Sequence, residues 1–291
     1  MHGTLFKLRF NHIAKYLLPI LLVYSIAVLI PLLLSFVFSL FSDTTSAFVG
    51  LKNYLVLLKD SVFWISFKNN LILVVFCVIG QVGIAFIIAT LLNTRFLKGR
   101  KLHRLAIFLP VVLAPVVTGY LWTMIYNYRF GILNWIVGLF GGEPGLWLDD
   151  PDKVLYMIAI PLIWQYIGLY LIIFLAGMQN ISSDISDAAE IDGANWLQKT
   201  LHVTLPMLKG VTQVVLILCI SGTMKTFDHI FVMTAGGPGT SSLVMAQHAY
   251  NNAFLMSKVN YASTISIGMM ILSAVVVLIT VKLIGVNNKN D

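Results

Sequence analysis

Charge is scarce in this 291-residue chain: Asp, Glu, Lys and Arg together supply 11% of it, against 58% apolar residues. No soluble core absorbs that much apolar surface, so a water-soluble globular class is excluded. Cysteine is nearly absent. Cys77 and Cys219 both fall inside apolar runs, where a thiol behaves as a small apolar residue, so neither a disulfide nor a metal site is expected. The chain lacks the GxxxxGK(S/T) phosphate loop and is not expected to bind or hydrolyse ATP itself. It also lacks HExxH, CxxC and GxSxG, and its histidines, His2, His12, His103, His202, His229 and His248, are scattered. No catalytic constellation is visible, and the chain does not read as an enzyme. Gly236, Gly237 and Gly239 with Pro238 lack the helix and lysine of a nucleotide site and read as a turn.

What is present is a set of long apolar runs. A hydrocarbon layer takes about 20 helical residues to cross, and six segments qualify: about 16–40, 71–92, 105–126, 154–178, 211–233 and 261–284. Apolar residues stand on every face, which predicts helices rather than the alternating strands of an outer-membrane barrel. The expected fold is an all-α membrane protein in one transmembrane domain, 1–291, with no appended soluble domain. Five of the six spans are nearly free of charge, whereas the fifth carries Lys225 and Asp228 toward its far end, so it is expected to end early and continue as a re-entrant stretch. The first run is too long for a signal peptide and has no small-residue cleavage site before Asp43.

Orientation follows from where the cations fall. With the N-terminus inside, twelve lie on the cytoplasmic face: Lys7, Arg9, Lys15, Arg95, Lys98, Arg100, Lys101, Arg104, Lys199, Lys209, Lys282 and Lys289. Seven lie outside: Lys52, Lys59, Lys68, Arg129, Lys153, Lys225 and Lys258. Both termini are therefore placed in the cytoplasm. The net charge of +7 then reflects topology and anionic lipid headgroups, and a nucleic-acid partner has little support. The outer segments are 41–70, 127–153 and about 235–260. The second mixes Gly, Pro, Trp and acids, which predicts a short interfacial helix followed by turns, with Trp135 and Trp147 as headgroup anchors.

The loop between the fourth and fifth spans, 179–210, is polar and too elaborate for a connector. Ser183 is a plausible N-cap, and Asp184 and Asp187 complement the positive end of a helix dipole. Ile185, Ala188, Ala189 and Asp192 follow helical spacing until Gly193 ends the helix with a left-handed turn. A second short helix is expected over 195–203, with Trp196, Thr200 and Val203 on one side. Leu205 precedes Pro206 and is expected outside helical conformation, while Pro206 suits the first turn of the next span.

These residues resemble the EAA loop of binding-protein-dependent ABC importer permeases, whose pattern is EAA, three residues, Gly, and later an LP pair followed by Pro. Asp187, Ala188, Ala189, Gly193, Ala194, Leu205 and Pro206 carry the match. Asp187 stands where the family usually has Glu, keeping the charge on a shorter arm, and Gly210 stands where a second proline is common. The fuller string AAEIDGA, which includes Glu190 and Asp192, is similar to the sugar-permease branch. So are FVGLKNY at 48–54 and FDHIFVMTAGGPG at 227–239. That branch also includes glycerol-phosphate permeases.

The resemblance implies the type I importer permease fold and a multi-pass subunit of the cytoplasmic membrane. It implies a second permease subunit forming a heterodimer, two ATPase subunits that bind ATP and Mg, and an extracytoplasmic sugar-binding protein. The loop would seat in an ATPase cleft and transmit its closure.

Candidates for the substrate path are polar and aromatic residues within spans: Gln81, Tyr120, Trp122, Tyr126, Asn127, Trp164, Gln165, Tyr170, Lys225 and Asp228. For the aromatics, helix packing or an interfacial belt competes with path lining. For the two glutamines the alternative is helix-to-helix hydrogen bonding, and for Lys225 and Asp228 it is a structural ion pair. A secondary transporter or channel would need an intramembrane carboxylate, and spans one to four and six contain none.

Overall fold

The computed structural model describes residues 10–94 and 98–285; Lys7, Arg9, Arg95, Lys289 and His2, named above, lie outside the described residues. The described chain is helical apart from turns and one isolated antiparallel bridge, Phe41–Phe48. The helices, in chain order, are α1 (10–38), α2 (Lys52–Lys59), α3 (Ser61–Asn93), α4 (Arg100–Phe108), α5 (Pro115–Ile125), α6 (Ile132–Leu139), α7 (Val154–Met178), α8 (Ser183–Ile191), α9 (Trp196–Lys199), α10 (Lys209–Met224), α11 (Asp228–Met233), α12 (Met245–Tyr250) and α13 (Val259–Gly285). Five segments are long and apolar enough to cross a membrane: Leu17–Phe38, Ser61–Asn93, Val154–Met178, Lys209–Met233 and Val259–Leu283. A sixth results if α4, prolonged by a 3₁₀ turn to Val112, and α5 are taken as one span bent by 99°.

That bend corrects the expected straight span over 105–126. Leu113 and Ala114 are extended, with ψ of 141° and 135°. Ala114 precedes Pro115, whose ring clashes with helical geometry at the residue before it, so the helix stops and restarts in a new direction.

The second span starts at Ser61, earlier than the apolar run at Leu71. Asp60 initiates it by accepting the backbone N–H groups of Val62 and Phe63 at 2.9 and 3.3 Å. The polar residues Lys68, Asn69 and Asn70, which read as loop in sequence, are inside the helix because the two asparagines find partners there. The fifth span ends at Lys225 (φ −102°, ψ 5°) and resumes at Asp228 after Phe227 (φ −140°, ψ −54°), in keeping with an early end.

The chain divides into two compact units, Met1–Lys59 with Ala249–Ile267, and Asp60–His248 with Gly268–Asp291. In the first, the amide of Asn53 donates to the carbonyls of Ser39 and Phe41, both at 2.8 Å, closing the turn after α1. Asp43 accepts the N–H groups of Asn260 and Tyr261 at 2.7 and 3.0 Å, satisfying the start of α13. In the second unit the core lies where α3, α7 and α10 meet, with Leu73, Cys77, Ala85, Ile158, Phe174 and Val215 buried. Small residues let the helices close: a Cβ on Gly168 of α7 would stand 2.4 Å from the Ile107 carbonyl oxygen of α4.

Candidate functional site

The 179–210 loop is built from three local devices. Ser182, not Ser183, is the N-cap: its backbone is extended (ψ 138°) and its hydroxyl accepts the Asp184 N–H at 3.2 Å. At the other end of α8, Gly193 adopts φ +77°; its N–H reaches the Glu190 carbonyl at 3.1 Å and that of Ala194 reaches Ala189 at 3.0 Å. The paired 5→2 and 6→1 bonds form a Schellman turn around a left-handed residue, a conformation that favours glycine. Asn195 then opens α9 with a reciprocal capping box to Gln198, both bonds at 2.9 Å.

The two helices are tied together by Lys199, whose ammonium donates to Glu190 at 2.7 Å. Asp187, Ala188 and Asp192 are exposed on α8 and its cap, as is Ile191 at 86%. Trp196, Leu197 and Leu201 are exposed beyond the turn, so the loop presents a mixed acidic and apolar surface.

Leu205 is helical (φ −64°, ψ −45°), a correction to the expectation from Pro206. A π turn over Thr200–Thr204 widens the helix there, and the Leu205 N–H reaches back five residues to the Thr200 carbonyl. The chain instead breaks at Leu208 (φ −89°, ψ 10°), immediately before α10.

The path candidates fall into distinct settings. Gln81 of α3 is buried in a π turn and donates to the Leu162 carbonyl of α7 at 2.9 Å, while its oxygen faces the Cys219 thiol of α10 at 3.4 Å. Gln165 is fully buried, and its amide donates at 2.8 Å to the Leu113 carbonyl, which the break between α4 and α5 leaves without a helical partner. Its Oε1 has no partner among the described residues. The Tyr126 hydroxyl donates to the Met157 carbonyl at 3.0 Å. Pro161, four residues on, lacks the N–H that would bond there, so the phenol replaces a missing helix bond.

Trp122 lies 5.4 Å from Tyr126 and 6.0 Å from Trp164 between ring centroids, giving an aromatic cluster on α5 and α7. Tyr170 is buried and Tyr120 is exposed. Asn127 accepts the N–H groups of Arg129 and Phe130 at 2.9 and 3.3 Å, the bonding of a turn former. Lys225 and Asp228 are both exposed where α10 breaks, and they form no ion pair with each other among the described residues. The three residues between them span the break, where helical spacing no longer holds.

Several polar residues escaped sequence reasoning. Asn69 donates to the Thr240 and Leu243 carbonyls at 3.1 and 2.9 Å. Asn70 donates to Thr223 and Met224, at 3.2 and 3.4 Å, and accepts the Met245 N–H at 3.0 Å, capping the end of α10 where it breaks. Asp60 pairs with His248 of α12 at 3.0 Å. The Trp147 indole N–H donates to buried Asn134 at 2.7 Å, which also binds the backbone of Gly145. The available signal was an asparagine pair abutting an apolar run, and a proline inside another.

No family model matches the chain. Among curated proteins, the trehalose/maltose transport system permease protein MalF of Thermococcus litoralis is 34% identical over 244 residues, 81% of this chain and 81% of its own length. The arabinooligosaccharides transport system permease protein AraP of Bacillus subtilis is 30% identical over 241 residues, 82% of this chain and 77% of its own. A solved bacterial ABC transporter involved in the import of the acidic polysaccharide alginate shares the fold, with a TM-score of 0.84 at 20% identity over 95% of this chain and 96% of that one. A bacterial alginate ABC transporter solved in complex with an alginate pentasaccharide-bound periplasmic protein also shares the fold, with a TM-score of 0.81 at 20% identity over 93% of each chain.

The curated relatives thus define an integral membrane subunit of an ABC transporter. The chain belongs to the family of ABC transporter permeases, whose curated members include sugar permeases. Such subunits are not enzymes; the ATPase of the transporter is a separate subunit.

Proposed function

We propose that this chain forms part of the path for a sugar or oligosaccharide in an ATP-driven importer of the cytoplasmic membrane, with six spans and both termini in the cytoplasm. Its path partner is a second, non-identical permease. Two ATPase subunits, which hold ATP and Mg, take the loop around Asp187–Pro206, and an extracytoplasmic binding protein delivers the solute. Relatives named for trehalose/maltose and arabinooligosaccharides support the substrate class. The alginate system solved with a periplasmic protein supports the delivery partner.

The observation that carries the coupling role is the rigid two-helix construction of the loop. A Schellman turn, a capping box and the Glu190–Lys199 bridge hold α8 and α9 as one body, so motion imposed on exposed Asp187, Ala188 and Asp192 reaches α10 through Leu205 and Pro206. In the path, neutral sugars suit the aromatic faces of Trp122 and Trp164, whereas the buried amides of Gln81 and Gln165 and the Tyr126 hydroxyl are engaged with helix carbonyls and serve helix-to-helix bonding. Exposed Tyr120, Lys225 and Asp228, with half-buried Asn127, complete the proposed lining, and buried Tyr170 packs behind it.

The coupling test compares Gly193→Asp with Gly193→Asn. A Cβ at Gly193 meets no atom within 4 Å, so any effect comes from the left-handed backbone and the added charge. Asn tolerates that backbone and adds no charge. Gly193→Asp is expected to reduce ATPase association and uptake while Gly193→Asn retains most of both. Unchanged association and uptake in Gly193→Asp would sink the coupling role.

A further inference from the structure

We propose that Arg100, Lys101 and Arg104, at the start of α4, bind the headgroup of an anionic phospholipid. With Gly99 they line an open cleft of about 540 Å³. No side chain caps the start of α4 and no acid stands in its first turn. In sequence, no Asp or Glu occurs between Asp60 and Glu143. Inside the cluster, the Arg104 Nε is buried and has no hydrogen-bond partner among the described residues. A buried guanidinium nitrogen without an acceptor is a costly arrangement that a phosphate oxygen would relieve.

The feature that selects a lipid over a free phosphate is apolar. At about 100° per residue, Arg100, Lys101 and Arg104 occupy one sector of α4, and Leu102, Leu105 and Leu109 the sector beside it. Those three leucines are exposed by 70%, 61% and 60%. A row of cations flanked by a row of exposed leucines matches an anionic head joined to an acyl chain. Gly99, at φ +74°, turns the chain into the helix beside the cleft, and the His103 ring folds back to within 2.9 Å of its carbonyl, leaving the cations as the polar lining. Segments of this kind recruit acidic headgroups, each cation adding to the attraction.

The test uses the full-length chain, in whatever complex co-purifies with it, in nanodiscs of phosphatidylcholine with and without phosphatidylglycerol. Native mass spectrometry counts the phosphatidylglycerol retained, and thermal unfolding is followed in parallel. Wild type is expected to retain phosphatidylglycerol and to unfold at higher temperature with it. Each of Arg100→Gln, Lys101→Gln and Arg104→Gln is expected to lower retention about fivefold. Lys258→Gln, which removes an equal charge elsewhere, is expected to leave it unchanged, and inorganic phosphate is expected not to stabilise the protein. Equal retention in wild type and the Arg104→Gln variant would overturn the site. Stabilisation by inorganic phosphate equal to that by phosphatidylglycerol would make it a free-anion site and overturn the lipid. Should the variants fail to fold, wild-type retention indifferent to high salt would overturn it instead.

Discussion

The hydroxyl of Tyr126 donates to the main-chain carbonyl of Met157 at 3.0 Å, occupying the position that the missing N–H of Pro161 leaves open in α7. A side chain on the far side of the α5 break thereby completes a helix that its own sequence interrupts. Tyr126→Phe is expected to destabilise the protein by about 1 kcal/mol, one buried hydrogen bond. In a Pro161→Ala background, where the Ala N–H can serve Met157, the same change is expected to cost little. Equal costs in the two backgrounds, read from denaturation midpoints in detergent, would disprove the replacement.

Gln165 does the same for the break itself, through its bond to the Leu113 carbonyl. Gln165→Met keeps the length of the side chain and removes the donor. It also removes the unpartnered Oε1, which offsets part of the loss, so the expected cost is about 1 kcal/mol. Gln165→Glu places a charge against a carbonyl in a fully buried position and is expected to cost more. A reversed order of the two midpoints would contradict the assignment.

Gly168 and Gly138 should respond oppositely to alanine. A Cβ at Gly168 would meet the Ile107 carbonyl oxygen and the Phe108 Cα at 2.4 and 2.7 Å, and backbone atoms cannot move aside cheaply. Gly168→Ala is expected to cost about 2–3 kcal/mol by forcing α4 and α7 apart. Gly138, inside α6, has nothing within 4 Å, and Gly138→Ala is expected to be neutral or to stabilise by up to about 1 kcal/mol. Thermal unfolding of the two single variants decides.

Asn70 holds three backbone groups at the point where α10 breaks. Asn70→Ala leaves the Thr223 and Met224 carbonyls and the Met245 N–H without that partner, for an expected cost of about 3 kcal/mol. Asn70→Asp keeps the acceptor for Met245 but sets a buried carboxylate against two carbonyls, and is expected to be worse than alanine. Lower stability of Asn70→Ala than of Asn70→Asp would argue against the observed amide orientation.

Much of the 179–210 loop was legible because its determinants are local. Gly193 ends α8 through its own left-handed backbone, and Asn195 opens α9 through a residue three positions away, so neither needs distant contacts. The error at Leu205 has the complementary cause. The rule for a residue before proline assumes an ordinary α turn, and the π turn upstream changes the geometry it acts on. The Lys225–Asp228 spacing misled for the same reason, since an i,i+3 argument fails across a break in the helix.

The amino-acid sequence by itself determined the class of this protein, an all-helical membrane subunit, because apolar length and the absence of charge act without regard to what lies nearby. It also determined the turn at Gly193, where conformation depends on one residue. Tertiary structure alone decided the burial of Asn69 and Asn70 within α3 and the partners of Gln81, Tyr126 and Gln165. Each of those is a polar group in an apolar surrounding, and its place is set by which backbone group, remote in sequence, the packing brings within hydrogen-bond reach.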